Sequence, residues 1–288
     1  MKQISSTTPI SFGQLRQHWR QQFAENQIES AAIDSRLLLC AAAEIDQAQL
    51  IGKEHDLVSP EILARMDGFG QRRLAHEPVA RILGEAAFYG RVFSLNADTL
   101  VPRPDTEVLV ERGLQALPKV GHFIDLGTGT GCIAISLLAE RVDCTAVATD
   151  IAAGALEMAR ENATRHEVSD RLELVTSNWF DAIPAQNQFD LILSNPPYIA
   201  EHEKALMNKE ALDYDPALAL FAEDEGMAAY HQILAGAKMR LRQGGKLLFE
   251  IGFRQAELME KAAIAAGAQQ VTFFKDLSGH NRVAEISW

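Results

Sequence analysis

The turn Asn195-Pro196-Pro197-Tyr198 directly follows a short strand-like run, Phe189-Asp190-Leu191-Ile192-Leu193-Ser194. About 65 residues upstream, a second such run, 123–126, enters the glycine turn Gly127-Thr128-Gly129-Thr130-Gly131. Two consecutive prolines hold two φ angles and remove two backbone donors, and the residue before them is pushed out of helical space. A glycine turn followed by the apolar stretch 132–139 reads instead as the entry to a helix. From position 122 the alternation continues, with strands expected at 145–149, 172–176, 246–251, 270–274 and 282–286 and helices at 152–165, 226–241 and 255–266. Seven strands separated mostly by helices imply an α/β fold with a mostly parallel sheet covered on both faces. Ligands of such sheets lie at the carboxyl ends of the strands, where both unusual loops fall.

The first part of the chain carries no strand signal. Ser11 stands where it can cap a helix bearing Leu15, Trp19 and Phe23 at spacings of four, and 30–45 places Ile33, Leu37, Leu38 and Ala41 on one face. Ser59-Pro60 pairs a capping residue with proline at the first helical position, ahead of Ile62, Leu63 and Met66. A small helical bundle is expected over residues 1–76. A hairpin linker over 77–104 follows, with strands at 79–88 and 91–95 around Tyr89-Gly90 and an irregular proline-marked stretch to Pro104. The remaining 105–288 form the α/β domain, with Asp105 expected to cap a helix from Thr106 to about Leu117. Charge differs between the parts: 9 basic against 11 acidic residues up to position 85, 18 against 28 thereafter.

The chemistry resides at the strand ends. Glycines let the backbone approach a cofactor, and a strand–turn–helix junction points N–H groups at it. The spacing is Gly-x-Gly-x-Gly rather than the dinucleotide pattern. Asp150 ends the next strand and can accept both hydroxyls of a ribose, or alternatively cap the helix after it. Ribose alone does not choose between cofactors. Trp179, in Ser177-Asn178-Trp179-Phe180, can cover an adenine or pack on the core. In the Asn-Pro-Pro-Tyr turn, the Asn195 side-chain oxygen and the Pro196 carbonyl are two acceptors suited to the two in-plane hydrogens of a planar NH2 group, and Tyr198 offers a flat face to the conjugated group behind it. These features together suggest methyl transfer to nitrogen.

On these residues the chain resembles the class I S-adenosylmethionine-dependent methyltransferases, which have a Rossmann-like sheet. More narrowly it resembles the bacterial release factor glutamine N5-methyltransferases. The resemblance covers nearly the whole chain, and its most discriminating run is Val101-Pro102-Arg103-Pro104-Asp105-Thr106-Glu107. It implies S-adenosyl-L-methionine as cofactor, with S-adenosyl-L-homocysteine as product. It also implies peptide chain release factors as protein substrate and methylation of the glutamine of their Gly-Gly-Gln motif. Carried onto this chain, Gly127, Thr128, Gly129, Thr130 and Gly131 hold the methionine portion, Asp150 the ribose and Trp179 the adenine side. Asn195 borders both ligands, and Asn195, Pro196, Pro197 and Tyr198 bind the substrate amide, with Asn195 and Pro196 catalytic. The family has Asp where this chain has Asn178.

Composition narrows the alternatives. A net charge of −12 over 288 residues argues against broad nucleic-acid binding, which draws on Lys and Arg at phosphates. An N6-adenine methyltransferase using the same turn on a flipped base is therefore the weaker reading, and a non-catalytic binding module weaker still. Cys40, Cys132 and Cys144 form no CxxC pair and the eight histidines no ligand spacing, so no metal is expected. With no signal peptide and no long apolar stretch, no membrane association and a cytoplasmic location are expected. The stretch 199–225 exceeds an ordinary connection and reads equally as a substrate-facing lid or as an insertion with its own short helix.

Overall fold

A computed structural model describes residues 9–288. The chain divides into two compact units, one ending at Gly84 and the other running Glu85–Trp288.

The first unit is helical: α1 (Phe12–Glu25), α2 (Ala31–Ala43), α3 (Gln47–Gly52), α4 (Pro60–Leu74) and α5 (Val79–Leu83). Reciprocal capping by Ser11 with Gln14 starts α1, and by Asp46 with Gln49 starts α3. Ser59 caps α4, with Pro60 at its first position. Leu15, Trp19, Phe23, Leu38, Leu39 and Met66 form the centre of the core. The buried face of α2 is rotated from the expected one. Ile33 is 53 % exposed, whereas Asp34, Ser35, Leu38 and Leu39 point inward. The cause is a long-range ion pair: Arg73 of α4 donates from Nε to Asp34 Oδ2 at 2.7 Å with both side chains buried. Ser30 donates its hydroxyl to the same oxygen at 2.6 Å. A second correction concerns 79–83. These residues are helical rather than extended, begun after Pro78 and closed by Gly84 in the left-handed region.

The second unit opens with a two-stranded hairpin, β1 (Glu85–Phe88) and β2 (Arg91–Ser94), turning at Tyr89 and Gly90, both with positive φ. A 3₁₀ turn, Pro104–Thr106, leads into α6 (Glu107–Ala116). Asp105 lies inside that turn and caps nothing; its carboxylate pairs instead with Arg282 at 3.0 Å. The sheet is then laid down as β3 (His122–Leu126), β4 (Thr145–Asp150), β5 (Leu172–Thr176), β6 (Phe189–Ser194), β7 (Leu241–Glu250), β8 (Gln270–Lys275) and β9 (Asn281–Ser287). Helices α7 (Cys132–Glu140) and α8 (Ala153–Arg165) connect its first half. The short α9 (Lys209–Tyr214) and α10 (Ala217–Leu220), then α11 (Ala228–Arg240) and α12 (Ala256–Ala265), serve the second.

Strand order is β5-β4-β3-β6-β7-β9-β8, and only β9 runs against its neighbours. This is the expected seven-stranded, mostly parallel sheet. Leu109, Ile133 and Leu137 of α6 and α7 pack on one face, and Tyr230, Ile233 and Met259 of α11 and α12 on the other. Central strands covered on both faces explain the near-continuous apolar runs of β3 and β6. The chain leaves β3 toward β4 and β5, then returns to place β6 on its other side. The carboxyl ends of β3 and β6 therefore diverge into a crevice. No helix among the described residues is long and apolar enough to cross a membrane.

Candidate active site

The crevice holds a cleft of about 270 Å³. It gathers Gly127, Thr128, Gly129 and Thr130 from the glycine turn, Asp150 from the end of β4, Trp179 from the loop after β5, and Asn195 from the turn after β6. Gly131 closes the glycine turn immediately before α7. Gly127, Gly129 and Gly131 all have positive φ. At Gly127 an added Cβ would come 3.3 Å from the Trp179 ring, so this glycine keeps open the space the indole overlooks. The turn is held mainly by its own bonds: the N–H groups of Gly127 and Thr128 both donate to Thr149 O at 2.9 Å, and Gly131 N–H donates to Thr128 O. Its contribution at these positions is close backbone approach rather than a ring of free donors.

Asp150 accepts from Gly129 N–H at 2.9 Å through Oδ2 and from Ala152 N–H at 3.0 Å through Oδ1. It thus braces the glycine turn and the residue before α8, but it does not cap that helix, whose N-cap is Ala152 with no side-chain bond. Each carboxylate oxygen keeps a lone pair for a further donor. Burial raises its pKa, with the backbone N–H groups of Ala152, Gly129 and Ile151 acting against the shift. Asp125, beneath the turn, accepts 2.6 Å from the Thr128 hydroxyl, and burial raises its pKa to about 7. Cys132 also lines the cleft, but burial pushes its thiol up to about 12, which keeps it protonated and inert. Trp179 has positive φ and donates from its indole N–H to Gln232 Oε1 at 2.9 Å, which fixes its ring.

The Asn-Pro-Pro-Tyr turn is split by the geometry. Asn195 and Pro197 line the cleft, whereas Pro196 and Tyr198 stand outside its lining. Tyr198 packs against the second core cluster and donates its hydroxyl to Glu250 Oε1 at 3.2 Å. The turn is backed tightly, since a Cβ on Gly226 would fall 2.1 Å from Tyr198 O. Asn195 directs its Nδ2 to the Thr106 hydroxyl at 3.3 Å, which leaves Oδ1 as its remaining acceptor.

Several cleft residues were not singled out as site residues from sequence: Asp98, Leu100, Arg103, Thr106, and Pro216 with Leu218 from the 199–225 stretch. That stretch contains a 3₁₀ segment, α9 and α10, so it is an insertion with its own short helices and also a wall of the cleft. Arg103 Nη2 bonds Asp215 Oδ2 at 2.5 Å and ties the proline-marked run to this wall. Thr106 and Arg103 belong to the discriminating 101–107 run, which was the available signal. The wall residues had none.

A seven-stranded sheet with β9 reversed, a glycine turn at the switch point and a strand-end acid define a methyltransferase of the class I architecture. A solved methyltransferase from Pyrococcus furiosus shares the fold, with a TM-score of 0.53 and 20% identity over 76% of this chain and 97% of that one. Residues 104–213 match the Methyltransferase small domain, and residues 14–84 the PrmC N-terminal domain. The release factor glutamine methyltransferase of Cereibacter sphaeroides is 46% identical over 89% of this chain and 91% of its own length. That of Neisseria gonorrhoeae is 40% identical over 87% and 91%. The chain belongs to the release factor glutamine methyltransferase family.

Proposed function

We propose that the chain methylates the side-chain amide nitrogen of the glutamine in the Gly-Gly-Gln motif of peptide chain release factors, in the cytoplasm, with S-adenosyl-L-methionine as donor and S-adenosyl-L-homocysteine as product. The observation that carries the reading is Asn195: its NH2 is engaged by Thr106, so its carbonyl oxygen is the acceptor available at the cleft. A planar amide NH2 matches that acceptor, and an alkyl group does not.

The cleft fits the cofactor. Asp150 retains acceptor capacity for a diol, and Leu100, Ile133, Ile151 and Trp179 provide apolar wall for a flat base. When bound, S-adenosylmethionine supplies a methyl group activated by its sulfonium. The glycine turn admits the methionine portion, Asp150 holds the ribose, and Asn195 and Pro197 border the substrate amide, with Pro196 and Tyr198 holding the turn from behind the cleft lining. An amide nitrogen is a weak nucleophile because its lone pair is delocalised. As it commits that pair to a new bond, its hydrogens become more acidic and bind Asn195 Oδ1 more tightly. The acceptor thus favours the transition state over the ground state. Fixed alignment of the reacting atoms supplies up to roughly 7–11 kcal/mol in well-oriented systems.

Mass spectrometry of the Gly-Gly-Gln peptide, after incubating a release factor with the protein and cofactor, tests the reading. A gain of one methyl on that glutamine is expected, with no label transferred to DNA or RNA. Methylated nucleic acid with an unmodified factor would replace the reading with the N6-adenine one. The helical unit is assigned to contacting the protein substrate, since a free amide needs no such surface. A chain beginning at Glu85 should bind cofactor but methylate the intact factor more slowly, and full-rate methylation would remove that role.

Asp150→Ala should weaken cofactor binding by roughly 1.5–3 kcal/mol, the range for hydrogen bonds to a charged group. Binding by the native protein should also weaken on acidification, because the ribose hydroxyls need the ionised carboxylate and burial already favours its protonated form. Calorimetry across pH would measure both effects, and an affinity unmoved by the substitution removes Asp150 from the site.

A further inference from the structure

The Asn-Pro-Pro-Tyr turn is gripped by one buried side chain to which the reaction as described gives no role. Gln255 stands immediately before α12, outside the cleft lining, and makes no capping bond to that helix. Its carboxamide is a two-point fork instead. Nε2 donates to the Tyr198 backbone carbonyl at 2.9 Å, and Oε1 accepts from Gly252 N–H at 3.0 Å. Both partners are backbone groups, one able only to accept and the other only to donate, so their chemistry dictates which way this amide faces. Gly226, with φ +81°, reserves the space for the first bond: a Cβ there would fall 2.1 Å from Tyr198 O and 2.7 Å from Gln255 Nε2.

Tyr198 is the joint between two parts of the cleft. On its amino side stand Pro197 and Asn195, both in the cleft lining. On its carboxyl side begins the 199–225 stretch, which is closed at its base: Ile199 N–H donates to Leu220 O and Ala222 N–H to Ile199 O, both at 3.0 Å. That closed base carries the wall residues Pro216, Leu218 and Ala219. The prolines hold φ at 196 and 197 but leave the following peptide free to rotate. The Tyr198 ring is tethered through its hydroxyl to Glu250, and the Tyr198 main chain through its carbonyl to Gln255.

We propose that Gln255 is a positioning residue: by holding the Tyr198 carbonyl it sets the acceptor turn and the cleft wall in one frame around the substrate amide. The proposal rests on the assignment of Asn195 to an amide substrate. The fork needs one donor and one acceptor at the end of a side chain of this length, which only glutamine or a protonated glutamate supplies. An ionised glutamate would set an oxygen against Tyr198 O. Without the fork the turn and the wall shift separately, and a displacement of about 1 Å in a reacting geometry costs about 10²-fold in rate. The cofactor side is held by other bonds, as at Asp150 and Gly129. Around Gln255 stand Tyr198 and Tyr230, the latter with its hydroxyl 3.4 Å from Oε1. Arg282 donates to Ile251 O at 3.4 Å, and Glu250 accepts from Tyr198. Burial raises the pKa of both tyrosines and lifts that of Glu250 to about 6.

The test pairs a kinetic readout with a substrate-free one. Gln255→Met keeps the length and loses the fork. Its single-turnover methylation of a release factor, with factor and cofactor saturating, should fall about 10²-fold, while its cofactor affinity by calorimetry stays within a few-fold of native. Gln255→Glu should fall as far in alkali and recover toward native on acidification, because its protonated carboxyl restores the donor to Tyr198 O. Dividing by the native rate at each pH removes the titrations of Asp150 and Glu250, which both proteins share. Without any substrate, amide exchange at Ile199 and Ala222 should quicken about tenfold or more in Gln255→Met, while that at Gly129 is unchanged. A native rate in Gln255→Met, a cofactor affinity that falls with the rate, a Gln255→Glu ratio flat across pH, or unchanged exchange at Ile199 and Ala222 would each overturn the proposal. Should Gln255→Met fail to fold, the pH profile of Gln255→Glu decides alone. Quickened exchange in Gln255→Met beside a native protein that leaves release factors unmethylated would sink the functional reading and not the clamp on Tyr198.

Discussion

Asn195→Ala should lower the single-turnover rate of amide methylation by about 10²–10³-fold, the range for loss of one preorganised polar group acting on a transition state. Alanine removes the acceptor at the cleft but leaves Pro196 and Pro197, which stiffen the turn, and Gly226 still packs against Tyr198 O. The fold should survive, and so should most of the cofactor affinity, because the glycine turn and Asp150 are untouched. Asn195→Asp should fall less far than alanine. It keeps an acceptor, and its charge favours the positive nitrogen that develops during transfer. It loses the inward NH2, so the Thr106 oxygen is left without its donor. Quenched-flow methylation separates this chemical step from product release. A rate for Asn195→Ala within a few-fold of native would remove the amide clamp.

The largest stability effect is expected within the helical unit, at Asp34. Asp34→Ala should destabilise the helical unit by about 3–5 kcal/mol, because it strips a buried guanidinium of its carboxylate. Arg73 has almost no route to water at this position. It also donates to Glu77 O at 3.2 Å, so it cannot swing outward without breaking a second bond. Replacing both partners, Asp34→Leu with Arg73→Met, should cost much less, since paired buried charges are often no better than apolar residues of similar volume. Urea denaturation of the two variants distinguishes these outcomes. Equal stability of the single and double variants would show that the pair has no such role.

This ion pair also marks where sequence reading stops. The helices of the first unit were legible through caps and spacing, as at Ser11 with Leu15, Trp19 and Phe23. The inward face of α2 was not, because it is set by a buried carboxylate whose partner lies 39 residues away. The strand expected from Val79 failed for a local reason: five apolar-rich residues after Pro78 fit one turn of helix as well as a strand, and Gly84 closes it. The sheet was legible because strands buried on both faces read as unbroken apolar runs. Around the cleft, signals contained within one loop were readable: the glycine turn, Asp150 at a strand end, Asn195 before two prolines. Thr106, Glu250 and Arg282 come from three separate segments, and only the closed fold sets them against Asn195, Tyr198 and Asp105. No spacing in the sequence encodes that meeting.

The order of the last two strands bears on how the protein is made. β8 precedes β9 in the chain yet lies outside it, so β8 has no partner until β9 slots between it and β7. While the polypeptide emerges, the flank of β7 therefore stays open and β8 waits unpaired, a state in which exposed strand edges favour misassociation. Arg282 arrives with that final strand and carries the link to Asp105, next to Thr106. Completion of the sheet and bracing of the cleft are thus one late event. A chain shortened by its last eight residues would lose a central staple rather than a dispensable fringe.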